Sequence, residues 1–117
     1  MVIFTMAWDL PTEHDKLRMY ANKARADWIP ATANWPGVTE LTTYRNPLEH
    51  SPQALTVIAF HSMAAWQQFV SSRDYQRMMH EVRALGCTGL TTQVWIPSSL
   101  TPEPIHPGQA AEPMRQP

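Results

Sequence analysis

The chain has 117 residues, 44% of them hydrophobic, with a formal net charge of -1 and a single cysteine. That leaves room for one domain and one core. The near-neutral balance, with a pI of about 6.5 and a mean hydropathy of -0.34, excludes a nucleic-acid surface, which needs a clustered Lys/Arg excess.

No apolar run approaches the roughly 20 residues that span a bilayer. The N-terminus, MVIFTMAWDL, lacks a basic n-region and a small-residue cleavage site, so it reads as a first strand. Cys87 has no partner for an internal disulfide, which fits a reducing compartment and a cytoplasmic location. With no activating group near it in sequence, it reads as a structural thiol rather than a nucleophile.

Val2 to Asp9 alternates, with Val2, Phe4, Met6 and Trp8 on one face and Ile3, Thr5, Ala7 and Asp9 on the other. Pro11 ends this strand. Thr12 stands as an N-cap, and Leu17, Tyr20, Ala21, Ala24 and Trp28 form a helical stripe. These features predict a helix over Glu13 to Trp28 that Pro30 kinks or ends, with a short extra turn over Ala31 to Trp35. Pro36-Gly37 is a stop.

Val38 to Arg45 alternates again, with Val38, Glu40, Thr42 and Tyr44 opposite Thr39, Leu41, Thr43 and Arg45. The prolines of Asn46-Pro47 and Ser51-Pro52 bracket a loop. Ala54 to Phe60 is the most apolar strand and so the one expected in the middle of a sheet, paired with the preceding strand as a hairpin. Ser62 caps a helix bearing Ala65, Trp66, Phe69 and Val70. After a break, Ser72 caps a second, striped by Tyr75, Met78, Met79, Val82 and Leu85 and closed by Gly86. Gly89 to Ile96 is the last strand, with Leu90, Val94 and Ile96 on one face and Trp95 on the other.

Six of the eleven prolines lie in the last 21 residues. The expected organisation is therefore a domain over residues 1–98 and an extended or disordered Pro-rich tail over 99–117. The order β-α-β, β-α-β is the α+β ferredoxin-like plan, a four-stranded antiparallel sheet with its helices on one face. The other face also carries apolar residues. A second copy is expected to cover it, two sheets packing face to face in a homodimer, with the tail draped on a neighbour.

The stretch IAFHSMAAWQQFVSSRDYQRMM resembles the antibiotic-biosynthesis-monooxygenase-like proteins of the dimeric α+β barrel superfamily: a strand, a Ser-capped aromatic helix, a Ser-containing break and a second helix. The resemblance spans about residues 1 to 98 and implies that fold and a homodimer. The superfamily holds cofactor-free oxygenases of polycyclic phenols, haem-degrading oxygenases, polyketide cyclases and isomerases. At the places of the haem degraders' Trp and axial His this chain has Phe69 and Met79, with His80 one residue off, and its first strand has no Asn. At the places of the quinone formers' Asn and Trp it has Thr56 and Phe60. Near the break, where the cyclases use a His and a Tyr, it has Phe69 and Tyr75. The implied activity is a cofactor-independent monooxygenase-like reaction on a small aromatic or polyketide-like compound, with no cofactor. A non-catalytic or stress-related binding module is the alternative, and an interaction protein recruited through the Pro-rich tail a third.

His61, at the end of the third strand, has the pKa range of a general base, or is a hydrogen-bonded loop histidine. Tyr75 shares the apolar stripe; its hydroxyl is either an acid or a group satisfied by the backbone. Trp8, Trp28, Trp66, Phe69, Met78 and Met79 are the expected wall of a pocket between helices and sheet, or simply core. Asp9 and Arg45 close two strands and are candidate polar contacts for a small apolar or aromatic ligand, Arg45 for its carboxylate or phenolate. Asp9, Glu13, His14 and Asp15 match no metal-ligand spacing, and no metal is expected.

Overall fold

The structure, a computed structural model, describes residues 1–108. Four strands, β1 (Val2–Asp9), β2 (Val38–Arg45), β3 (Ala54–Phe60) and β4 (Thr88–Trp95), form one sheet in the order β2-β3-β1-β4. Every neighbouring pair is antiparallel. This is the ferredoxin-like α+β plan read from the element order. β3 is central, as its apolar run requires, and β2 and β3 form the hairpin.

The first helical region departs from expectation. It starts as α1 (His14–Lys23), loosens into a π-helical turn over Ala24–Trp28, and resumes as α2 (Ile29–Ala33). The cap position is Glu13, without a side-chain hydrogen bond, rather than Thr12. Pro30 does not end the helical run: Trp28 and Ile29 before it keep helical angles, the π turn lies immediately ahead of the residue that lacks an N–H, and α2 continues through it to Ala33.

The second region follows its caps closely. Ser62 accepts from the Ala65 N–H at the start of α3 (Met63–Val70), and Ser72 accepts from the Tyr75 N–H at the start of α4 (Arg73–Ala84). At its end Gly86 takes φ 99°, with Gly86 N–H donating to Arg83 and Cys87 N–H to Val82. That is the Schellman pattern, and its left-handed residue favours glycine.

In β2 the pairing slips between Val38 and Glu40. The bulge turns Val38 onto the face of Leu41, Thr43 and Arg45, not that of Glu40 and Tyr44. β4 stops at Trp95, so Ile96 lies outside it.

The helices cover one face of the sheet, where Val2, Phe4, Met6 and Trp8 of β1 are all buried. Ile3, Thr5, Ala7 and Asp9, on the other face, are only partly so. Pro97 to Gly108 holds no helix or strand. Part of it, Thr101 to Ile105, shares a shallow groove with Met1, Ile3 and Trp95. The rest of the expected tail, 109–117, lies outside the described residues. No helix among the described residues is long and apolar enough to cross a membrane.

Candidate functional site

Register explains where the helix-covered face is full and where it is hollow. Across the sheet, Val2 and Val38 flank Phe60, and Phe4 and Leu41 flank Ile58. Farther along, Met6 and Thr43 flank Thr56, and Trp8 and Arg45 flank Ala54. The large β3 residues meet an aromatic cluster. Phe69 is fully buried and contacts Phe60, Trp35 and Tyr75 at ring separations of 5.5, 5.6 and 5.2 Å. Phe4 extends the cluster to Trp66 and Tyr75.

Over Ala54 and Thr56 the space is open. A cavity of about 430 Å³ lies between the sheet, the π turn and α4, within the usual range of about 300–1,000 Å³ for ligand pockets. Its floor is Met6, Trp8, Thr56 and Ala54; its roof is Tyr20, Ala24, Trp28, Met78 and Met79. The small Ala21 and Ala24 on the helices match the small residues of β3 below, so both layers recede at the same place.

The π turn shapes this wall. Eight α-helical residues at about 100° each would leave Trp28 about 80° around the helix from Tyr20. The looser i→i+5 winding absorbs that angle, and the two rings meet at 5.6 Å. Trp8 stands edge-on to Tyr20 and donates its indole N–H to the Tyr20 hydroxyl at 3.0 Å. Burial raises the pKa of that hydroxyl above the usual tyrosine value, so it stays protonated at neutral pH. The hydroxyl accepts from Trp8, and among the described residues its proton has no acceptor.

Trp28 donates its own N–H to Glu81 of α4 at 3.1 Å. Glu81 and Asp27 share Lys23 and Arg77 in four ion pairs of 2.7 to 3.5 Å. This cluster pins the π turn to α4. The hydrogen bond from Arg77, then that from Lys23, holds the Asp27 carboxyl below its usual range.

Of the candidates named from sequence, the fold brings Trp8, Trp28, Arg45, Phe69, Met78 and Met79 together around the cavity. It places the others elsewhere. His61 closes the opposite end of β3, roughly 20 Å from Ala54 at about 3.3 Å per residue. It is exposed, and its Nδ1 lies 3.0 Å from Ser62 Oγ. Tyr75 is half-buried between Phe4 and Phe69, and burial raises its pKa. Trp66 packs on Phe4 with its buried indole N–H unpartnered. Asp9 clamps the β2–β3 loop, accepting from Ser51 Oγ at 2.8 Å and from the Gln53 N–H at 3.2 Å. Cys87 is free and buried, its pKa pushed up to about 11 by desolvation, which keeps it an inert thiol. Among the described residues, no group of three or more His, Cys, Asp and Glu side chains could hold a metal ion.

Sequence reasoning missed Tyr20 and Arg25 as site residues. Tyr20 was hidden in an apolar stripe. Arg25 had a readable signal, since its helical neighbours Ala21, Asn22, Trp28 and Ile29 include no acid to pair it.

No family model matches the chain, and no curated protein does. Solved structures do. A provisional antibiotic biosynthesis monooxygenase from Deinococcus radiodurans superposes with a TM-score of 0.71 at 13% identity, over 91% of this chain and 97% of its own. SnoaB, a cofactor-independent oxygenase from Streptomyces nogalater, gives 0.63 at 16%, over 87% and 97%. A DABB-family protein with a ferredoxin-like fold from Mesorhizobium loti gives 0.67 at 12%, over 84% and 97%. At these identities the likeness is one of fold.

Proposed function

We propose that this chain binds a small, flat, largely apolar compound, aromatic or polyketide-like, in the cavity under the π turn, and oxidises it as a cofactor-independent oxygenase. The observation that carries the binding half is the cavity itself, walled by Trp8, Tyr20 and Trp28 and floored by small β3 side chains. The oxygenase half draws support from the fold shared with SnoaB. In the reaction class proposed, a ring methylene para to a phenol becomes a carbonyl. One atom of O₂ enters the carbonyl, and the other leaves as water with the two methylene hydrogens. Trp8, Tyr20, Arg45 and Met79 are the proposed ligand contacts, with the fully buried Phe69 as core behind them. His61 and Tyr75 stand outside the lining, and the proposal gives them no step.

A second reading, a binding module without chemistry, is favoured by one feature. The lining contains no His, Asp, Glu, Lys or Cys, so no side chain there removes a proton at neutral pH. The proposal also includes a second copy of the chain. Ile3, Ala7, Leu55 and Val57 form a partly exposed apolar patch on the sheet face away from the helices, and a homodimer would bury it.

Titrating the purified protein with polycyclic phenols while recording oxygen consumption and tryptophan fluorescence separates these readings. Quenching with oxygen uptake above the protein-free rate supports the oxygenase. Quenching without uptake leaves the binding module. Neither signal overturns both. Sedimentation velocity tests the dimer, which a monomer at all concentrations would overturn.

A further inference from the structure

We propose that the cavity selects compounds with an oxyanion, a carboxylate or an ionised phenol, on one edge of a flat apolar ring system, and that Arg25 and Arg45 hold this group at the mouth. The inference rests on the reading of the cavity as a binding site and names the chemistry of what enters it.

A residue that lines a cavity yet stays exposed stands at its opening. Arg25, Thr43 and Arg45 are exposed lining residues; Tyr44, the other one, pairs with Leu55 and takes its exposure from the opposite face of the sheet. The mouth therefore lies between the π turn and the end of β2, and both of its charged groups are guanidinium ions. The chain as a whole is slightly acidic, at -1, but its cavity lining has two cations and no carboxylate.

Among the described residues, neither arginine is in an ion pair. Arg73 and Arg83 also lack ion pairs, so that alone distinguishes nothing. The distinction is position, since those two do not line the cavity. The nearest helical acids are already engaged: Asp27 and Glu81 are held by Lys23 and Arg77. Nothing on the π turn competes for Arg25.

The interior fixes the ligand's orientation. An anion buried against Trp28, Met78 and Met79 would be desolvated without compensation. The ring must go inward and the charge outward. There the guanidinium forks offer charge-assisted, bidentate hydrogen bonds beside a low-dielectric wall. Further in, the free proton of the Tyr20 hydroxyl suits a neutral oxygen such as a ring carbonyl.

The test compares matched probes on the full-length chain by isothermal titration calorimetry: 2-naphthoate for the carboxylate, a nitronaphthol ionised at the assay pH for the phenolate, and 2-naphthamide as the neutral isostere. At least one anion is expected to bind about tenfold more tightly than the amide, a difference of about 1.4 kcal/mol. That preference should shrink with added salt. It should fall to about twofold or less in the Arg25→Gln/Arg45→Gln double variant, and part-way in each single variant. Circular dichroism confirms that the variants fold, and the salt series on the unmodified chain needs no variant. Equal affinity for the amide and both anions overturns the oxyanion inference and leaves the cavity reading standing. A preference that survives in the folded double variant overturns the assignment to these arginines. No binding of any probe overturns the cavity reading, and this inference with it.

Discussion

At one end of the helix-covered sheet face, Phe60 and Ile58 of β3 rise into a cluster centred on Phe69, with Trp35, Tyr75, Phe4 and Trp66 around it. At the other end the same strand offers Ala54 and Thr56, and the helices above offer Ala21 and Ala24. The backbone runs through both ends without a break, so side-chain volume decides which is core and which is cavity. The hollow end is no looser in its fastening. Trp8, Tyr20 and Trp28 contact in sequence, and Glu81, Asp27, Lys23 and Arg77 tie the rim together. The filled end is held by area and the hollow end by specific polar contacts. The lesson is that a cavity persists where directional bonds hold its walls apart.

This contrast predicts different responses to mutation. Phe69→Ala strikes the filled end at a fully buried side chain. It is expected to lose about 3–5 kcal/mol in urea denaturation. A loss below about 1 kcal/mol would mean that the cluster is not the core and the contrast is wrong.

Ala54→Phe fills the hollow end. Ligand affinity should fall about 100-fold, about 2.7 kcal/mol. Stability should stay within the ~1–3 kcal/mol typical of overpacking, because the ring has space to enter. Unchanged affinity by tryptophan fluorescence would move the ligand elsewhere.

Tyr20→Phe sharpens the comparison by removing the acceptor for the buried Trp8 N–H. The expected loss is about 1–3 kcal/mol in thermal and urea unfolding, with little change in ring packing. A neutral result would show that the wall is held by area after all.

Asp27→Asn has the smallest effect and a signed pH dependence. Arg77 and then Lys23 depress the Asp27 pKa in the fold. The stabilisation is therefore present above the unfolded carboxylate range, about pH 4, and is lost as the pH falls through the lower folded value. The variant should unfold at lower urea than the unmodified chain at neutral pH, and the two should converge in acid. Parallel curves at every pH would remove this cluster from the account of the rim.

Much of the fold was legible. Ser62 and Ser72 were readable as caps because the signal is local, and Gly86 because only a left-handed residue ends that helix well. Local signals also misled. Pro30 implied a kink or an end, but the helical run goes on through it to Ala33, with a π turn just before it. The bulge at Val38–Glu40 breaks an alternation that the sequence presents as continuous. The site was legible only in part. Trp8, Arg45, Phe69 and Met79 could be named from residue type, but that His61 and Tyr75 fall outside the cavity lining depends on which end of β3 is hollow.

The sequence by itself determined the order of strands and helices, the Ser62 and Ser72 caps and the ferredoxin-like plan, because periodicity and capping act within a few residues along the chain. Only the tertiary structure decided that Ala54 and Thr56 face Ala24 across an open space, that a π turn swings Trp28 over Tyr20, and that Arg25 and Arg45 line one cavity. These are cross-strand and cross-layer relations between residues far apart in sequence, set by register and by winding, and no local pattern encodes them.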